Sequence, residues 1–225
     1  MALLVLGLVF APGTALAQEE SPSVELASAS IDVDGGETST VTAEYEFDVA
    51  AAGSGDSALT AIGGTMWQLP DRDVGDISAT VNGENVDASV TEESRHNALS
   101  VPVENVEDGD TVAVTLEYEV AGPAGNVRAP LWVPEYATPG QANVVDGTLT
   151  LPDGATVAGS EFPTPASVDG NTATYELLHV PGFIGAEYGE SAPGLLSEDV
   201  LYSVLGVLVI VGFVVGGLAI DRKTA

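Results

Sequence analysis

Two histidines, His96 in the stretch EESRHN and His179 in ELLHV, are the side chains best suited to metal binding or general base catalysis. A zinc site needs three or four nitrogen, sulfur or oxygen ligands, and neither histidine has a second ligand at motif spacing. No H-E-x-x-H or G-x-S-x-G motif occurs, and Ser160 in VAGSEF lacks the second glycine of a nucleophile turn. We interpret His96 as a turn residue and His179 as a strand-end residue. We therefore predict that the chain is not an enzyme and binds no cofactor or metal.

Carboxylates are the second group of side chains that could carry chemistry. Two clusters resemble calcium-binding loops: DVDGGE, with Asp32, Asp34 and Glu37, and DRDVGD, with Asp71, Asp73 and Asp76. Each lacks the ligand spacing and the terminal Glu of a twelve-residue calcium loop, so solvated turns are the favoured interpretation and a bound cation is the alternative. A pair of carboxylates could also cleave a glycosidic bond, but in so acidic a chain such pairs arise by chance.

The stretch RAPLWVPEYATPG is the most distinctive local feature, because Trp132 and Tyr136 stand between three prolines. Proline cannot donate to a sheet ladder, so the segment is expected to be extended and to lie outside the centre of any sheet. Two interpretations stay open. Trp132 could close the end of a hydrophobic core, as large apolar side chains usually do. Alternatively, Trp132 and Tyr136 could form an exposed aromatic rim for a carbohydrate or protein partner.

The elements that must position these residues are β-strands. In STVTAEYEFDV and TVAVTLEYEV, apolar residues alternate with Thr and Glu, which is the period of a half-buried antiparallel strand. Shorter runs of the same kind are VELASASIDV, DISATV, ALSVPV, GTLTL and TATYELL. Asn-Gly and Asp-Gly turns separate them, and Asn82-Gly83 is the strongest hairpin signal. The pattern predicts an all-β fold, an antiparallel β-sandwich, for residues 18–190.

The order of strands and turns resembles a known family. The stretch ISATVNGENVDASVTEESRHNALSVPVENVEDGDTVAVTLEYEV, followed later by GTLTLPDGATVAGSEFPT, is similar to the all-β N-terminal domain of the M1 aminopeptidases. The similarity covers about residues 22–190 and is shared by other sandwich domains of similar order, including immunoglobulin-like ones. It implies a β-sandwich alone, since the peptidase half of that family is missing.

The charge balance restricts the partners. The chain has 34 Asp and Glu against five Lys and Arg, and its formal net charge is −29. Such a charge argues against nucleic acid and anionic lipid headgroups as partners. Disorder is the simple interpretation of high acidity, but the ordered apolar patterns contradict it. The lack of Lys before residue 223 is typical of proteins from extremely halophilic archaea, whose acidic surfaces stay hydrated in molar salt. Cysteine is absent, so neither a disulfide nor a thiolate site can form.

Both ends of the chain carry apolar segments. Residues 1–17 are predicted to be a secretory signal peptide, with an Ala-Leu-Ala cleavage site before Gln18 but no preceding Lys or Arg. After a juxtamembrane linker at 191–199, residues 200–220 contain no charge and would extend about 31 Å as a helix, enough to span a membrane once. Arg222 and Lys223, in the tail at 221–225, place the C-terminus in the cytoplasm and residues 18–199 outside.

Three classes of function remain from the sequence. The first, favoured because no catalytic set is found, is a membrane-anchored binding or structural module of the cell surface. The second is an accessory subunit of a membrane complex, docked through its helix, in which Gly212 and Gly216 form a G-x-x-x-G packing face. The third is a surface hydrolase. The expected partners are therefore the membrane, which the chain crosses once, and other cell-surface or membrane proteins. Nucleic acid is not an expected partner.

Overall fold

A computed structural model describes residues 21–135 and 145–190 of the chain. In these ranges the chain forms sixteen β-strands and one three-residue 3-10 helix, Gly55–Ser57. The predicted all-β class is therefore confirmed. None of the helical structure within these ranges is long and apolar enough to cross a membrane. The predicted signal peptide, membrane helix and tail, with Gly212, Gly216, Arg222 and Lys223, lie outside the described residues.

The largest sheet has nine strands, eight of which follow one another along a hydrogen-bonded path. In spatial order these eight are β14 (Ser167–Asp169), β15 (Thr172–Leu177), β12 (Val145–Thr150), β1 (Ser23–Asp34), β2 (Thr38–Ala51), β9 (Thr111–Ala121), β5 (Ser78–Val81) and β6 (Glu84–Val86). The ninth strand, β4 (Asp73–Val74), pairs with β9. The long strands β1, β2 and β9 form the centre of this sheet.

Two smaller sheets complete the sandwich-like fold. One contains β10 (Asn126–Pro130), β16 (Phe183–Glu190) and β13 (Ala155–Phe162), in that order. The other contains β11 (Trp132–Pro134), β3 (Ala61–Trp67), β8 (His96–Pro102) and β7 (Ser89–Glu92). Pro130 and Pro134 thus belong to edge strands of the two small sheets, where a missing N–H breaks no central ladder. This agrees with the extended, non-central segment that the prolines predict.

One pair of strands corrects the expectation of a purely antiparallel fold. Strands β1 and β12 run parallel, from Ala29 opposite Val145 to Asp34 opposite Thr150. The other pairings in the described ranges are antiparallel, including that of β12 with β15 on its far side. An alternating sequence reports which face of a strand is buried, and it contains no information on the direction of the neighbouring strand.

The inner face of the large sheet carries the alternation predicted for β2 and β9. On β2, Val41, Tyr45 and Phe47 are buried while Glu44 and Glu46 are exposed. The same pattern continues along β1 and β9, so the apolar side chains of the three sheets form a single core. Its largest fully buried side chains are Trp132, Tyr45, Tyr175, Phe47, Ile31, Ile62, Met66, Leu99, Leu116, Leu131, Leu149 and Ile184.

The predicted Asn82-Gly83 hairpin is also confirmed. Val81 of β5 pairs with Glu84 of β6, so the connection is a two-residue loop. Asn82 and Gly83 have φ values of 52° and 82°, the two positive values that a type I′ turn requires. Asn82 further accepts a hydrogen bond from the Ala113 N–H at 2.9 Å, which fixes the hairpin to β9.

The outer face of the large sheet places carboxylates opposite hydroxyl groups. Across β1, β2 and β9 the successive rows are Ser30–Glu44–Thr115, Asp32–Thr42–Glu117 and Asp34–Thr40–Glu119. Because like charges directly opposite each other destabilise a sheet, this alternation lowers the repulsion that so acidic a face would otherwise have. Glu25 opposite Asp48 is a like-charged pair at the end of the same face.

The segment that passes from β10 to β11 runs through the core. Two tyrosines of the large sheet donate hydrogen bonds to its buried carbonyl groups. The Tyr118 hydroxyl donates to the Pro130 carbonyl at 2.6 Å, and the Tyr45 hydroxyl donates to the Trp132 carbonyl at 2.9 Å. Burial raises the pKa of both tyrosines, so their hydroxyls stay protonated and remain donors. The Leu131 N–H donates to the Gly182 carbonyl at 3.0 Å, which satisfies the third polar group of this crossing.

Candidate functional site

Trp132 is a core residue and does not form an exposed rim. Its side chain is 0% exposed, and its Nε1–H donates to the Leu99 carbonyl at 3.3 Å. Its ring meets that of Tyr45 edge to face, with centroids 5.1 Å apart. A Cβ at Gly64 would collide with Trp132 Nε1, so the indole fills space that only glycine leaves open. The rim hypothesis is therefore wrong for Trp132, and Tyr136 lies outside the described residues.

The histidines and acidic clusters do not come together. His96 is the first residue of β8, and the turn ends one residue earlier, so the interpretation of His96 as a turn residue is wrong. The His96 ring packs edge-on against the Trp67 ring, with centroids 5.8 Å apart. His179 follows the end of β15. Asp32 and Asp34 project from the outer face of β1, and Asp73 begins β4. Within the described ranges, no three His, Cys, Asp or Glu side chains are grouped so that they could hold a metal ion.

Clefts in the described surface are shallow. One of about 500 Å³ lies between Gly125, Pro152 and Tyr188, and one of about 280 Å³ lies beside the Asn82-Gly83 turn. A third, of about 310 Å³, lies over Ser30 and Glu44 on the outer face of the large sheet. None of the three is lined by a histidine, and each is lined by at most a few carboxylates and amides.

The outer face of the three-stranded sheet has a different character. Phe162 of β13 and Phe183 of β16 stack on it, with ring centroids 4.4 Å apart and planes 24° apart. Phe162 is 46% exposed, which is unusual for so large an apolar side chain on a strand. The inward residues of β16, Ile184 and Ala186, are buried in the core, so Phe183 points away from it.

Arg128 lies in the same row as Phe162. Arg128 pairs with Gly185, and Gly185 pairs with Phe162 on its other side. A Cβ at Gly185 would lie 2.6 Å from the Val127 carbonyl oxygen and 3.1 Å from Arg128 Cγ, so glycine is needed beneath the arginine stem. With strands about 4.8 Å apart, the Cα atoms of Arg128 and Phe162 are about 10 Å apart across a bare glycine floor.

Arg72 contacts the β10 edge of this sheet at Asn126, two residues before Arg128. Its Nη2 donates to the Asn126 side-chain oxygen at 2.5 Å and to the Asn126 carbonyl at 3.2 Å, and its Nη1 donates to the Asp71 carbonyl at 2.9 Å. The guanidinium rests on Gly122, where a Cβ would be 2.9 Å from it. Burial lowers the pKa of Arg72, the positive charge of Arg128 lowers it further, and Asp71 opposes the shift.

We call this surface, defined by Arg72, Arg128, Phe162, Phe183 and Gly185, the aromatic–arginine face. Trp67, 47% exposed, borders it, because a Cβ at Gly182, the residue before Phe183, would lie 3.0 Å from Trp67 Cδ1. Glu187, opposite Asn126, is exposed on the same face.

Reasoning from the sequence missed these residues, although a signal exists. Met66-Trp67 and Phe183-Ile184 are adjacent large apolar pairs, and successive side chains of a strand point to opposite faces. One member of each pair must therefore face away from the core. Trp67 and Phe183 are those members, as Met66 and Ile184 are buried.

The fold and this surface define a class: an all-β, sandwich-like domain with an exposed face that combines aromatic rings and arginines. No protein-family model matches the chain, and no curated protein matches it.

Solved structures of similar fold do exist. Leukotriene A4 hydrolase from Saccharomyces cerevisiae has a TM-score of 0.47 and 11% identity, over 81% of this chain and 33% of the hydrolase. A protein from Legionella pneumophila has a TM-score of 0.46 and 10% identity, over 75% of this chain and 67% of that one. An M1 zinc metallopeptidase from Deinococcus radiodurans has a TM-score of 0.44 and 13% identity, over 76% of this chain and 44% of the peptidase.

The chain thus spans about a third of the length of the yeast hydrolase. The Deinococcus enzyme belongs to the M1 family that the sequence resembles.

Proposed function

We propose that the chain is a non-catalytic, membrane-anchored binding module of the cell surface, adapted to high salt, that binds a saccharide through the aromatic–arginine face. The charge-free run at 200–220 supports the membrane anchor. Acidic residues precede this run and Arg222 and Lys223 follow it, which supports the proposed orientation. In this arrangement residues 18–190 lie outside the cell and the last five residues lie in the cytoplasm.

The stacked pair formed by Phe162, which is 46% exposed, and the half-buried Phe183 is the observation that carries the proposal. An exposed ring face on a rigid strand offers a flat apolar platform, and the C–H groups on one side of a sugar ring are attracted to the negative face of such a ring. Phe183 lies beneath Phe162 and holds it in place. A platform of this kind binds with little loss of side-chain freedom, because its ring is already positioned.

The size of the face favours a slender ligand over a globular protein. Three strands of up to eight residues cover about 14 Å by 26 Å, or roughly 400 Å². A stable protein–protein interface buries about 800 Å² on each partner, twice that area. A net charge of −29 also opposes a second acidic protein, whereas a short oligosaccharide contacts the face without approaching the acidic sheet.

Replacing Phe162 with alanine is expected to weaken saccharide binding at least about tenfold, since the platform is lost. The measurement is isothermal titration of the full-length chain in detergent and molar KCl with cellohexaose, mannohexaose and hexagalacturonate. Val90→Ala is the matched control, because Val90 is also 46% exposed but belongs to the edge strand β7 of another sheet. Equal affinities of F162A and the unsubstituted chain, or no saturable binding of any of the three sugars, would refute the proposal.

A further inference from the structure

Two of the three arginines that precede residue 222 are associated with one strand: Arg72 is hydrogen-bonded to Asn126, two residues before Arg128 on β10. The chain has Arg72, Arg95 and Arg128 in this region and no lysine, against a large excess of carboxylates. Arg72 and Arg128 are close enough for the charge of one to act on the other. Two cations at this distance repel each other, and each would gain more from a carboxylate neighbour. Their placement therefore needs a reason beyond the stability of the fold.

Arg72 is oriented by neutral groups. Its three hydrogen bonds within the described residues go to the carbonyl oxygens of Asp71 and Asn126 and to the Asn126 amide oxygen. These bonds use three of its five N–H donors and hold the guanidinium over Gly122. Its positive charge is thus fixed in position but is not neutralised by a hydrogen-bonded carboxylate. An anion that joins Arg72 and Arg128 would remove their mutual repulsion and gain charge-assisted hydrogen bonds.

The arginine pair and the aromatic platform are within reach of one ligand. Asn126, which holds Arg72, and Arg128 are alternate residues of β10, about 6.7 Å apart along one side of the strand. Arg128 and Phe162 lie in one row, separated by Gly185. An extended arginine side chain reaches several ångströms, so a sugar ring stacked on Phe162 can present a ring substituent to Arg128. The Arg128 stem packs over Gly185, on the side of β10 that faces β16 and, beyond it, Phe162.

We propose that the two arginines bind the carboxylate of a uronic acid whose ring stacks on Phe162. This inference rests on the proposed saccharide-binding function and specifies its ligand as an acidic sugar. Glu187, exposed opposite Asn126 in the row next to that of Arg128, puts a negative charge on this face that opposes an acidic ligand. Within the described residues, Arg72 and Arg128 bring positive charge to this face, so a negatively charged sugar gains there on approach.

The test compares hexagalacturonate with its fully methyl-esterified form, which has the same rings but no free carboxylate. With the full-length chain in detergent and molar KCl, the acid is expected to bind about tenfold more tightly than the ester. Arg128→Gln should remove this preference and leave the affinity for the ester unchanged. Glu187→Gln should strengthen binding of the acid and leave the ester unchanged.

Arg95→Gln is the matched control, because Arg95 is exposed in the turn before β8. Its substitution changes the net charge by the same amount as Arg128→Gln. Equal affinity for acid and ester would overturn the acidic-sugar inference while leaving saccharide binding in place. Loss of preference in R95Q as large as in R128Q would also overturn it, because the effect would then be one of net charge. If neither form binds, both this inference and the proposed function fail.

Discussion

Replacing Trp132 with alanine is expected to lower the free energy of unfolding by about 3–5 kcal/mol, the usual cost of removing a large aromatic side chain from a packed core. Trp132 is fully buried, and the rings of Tyr45 and Phe47 both pack on it. The indole also occupies the space above Gly64 and satisfies the Leu99 carbonyl. The substitution leaves a cavity in the centre of the core and removes the indole hydrogen bond to Leu99, and each of these destabilises the fold.

Trp67→Ala is the matched control, as it removes the same side chain from a position that is 47% exposed. It should cost about 1 kcal/mol or less, because most surface substitutions change stability little. Urea unfolding of both variants in molar KCl, followed by circular dichroism, gives the two free energies. Similar losses in the two variants would contradict the placement of Trp132 in the core.

The stability of the folded region should rise steeply with salt, by about 5 kcal/mol between dilute buffer and molar KCl, out of a typical total of 5–15 kcal/mol. The outer face of the large sheet brings Glu44, Asp32 and Glu117 into neighbouring rows, and the formal net charge is −29. At 0.01 M salt the Debye length is about 30 Å, so carboxylates repel across the whole domain; at 1 M it is about 3 Å and only direct neighbours interact.

The alternation of carboxylates with Ser and Thr is what makes screening effective. Neighbours in direct register on the central strands are mostly hydroxyl groups, so the repulsion that remains acts over longer distances, which salt screens. A gain of this size corresponds to a rise in melting temperature of about 10–20 °C for a domain of this length. Sucrose at matched water activity is the control, since it favours burial without screening charge. A melting temperature that is unchanged by KCl would contradict this account of the acidity.

The sequence predicts the parts of the fold that depend on local alternation. The buried faces of β2 and β9 and the Asn82-Gly83 turn are readable because neighbouring residues determine them. The parallel pairing of β1 with β12 is not readable, since the paired residues Ala29 and Val145 are over a hundred positions apart. Direction and partner of a strand are set by the path of the whole chain.

The candidate site was less accessible to sequence reasoning for the same reason. Arg72 reaches the strand of Arg128 through hydrogen bonds to Asn126, 54 positions away, and Phe162 reaches Phe183 only because β13 and β16 are neighbours. The proline-rich stretch around Trp132 indicated an exposed aromatic rim as one interpretation, but Trp132 is buried in the core. Composition shows that arginines are rare, but it does not show that two of them share one surface.

The most direct test of the account is to map where a saccharide binds. Full-length, isotopically labelled chain in detergent and molar KCl would be titrated with hexagalacturonate and followed by nuclear magnetic resonance. The account predicts that the largest shifts occur at Phe162, Phe183, Gly185 and Arg128, with Glu44 on the outer face of the large sheet unaffected. The largest shifts at any other surface, or no shifts at millimolar sugar, would contradict the claim that the aromatic–arginine face is the binding site.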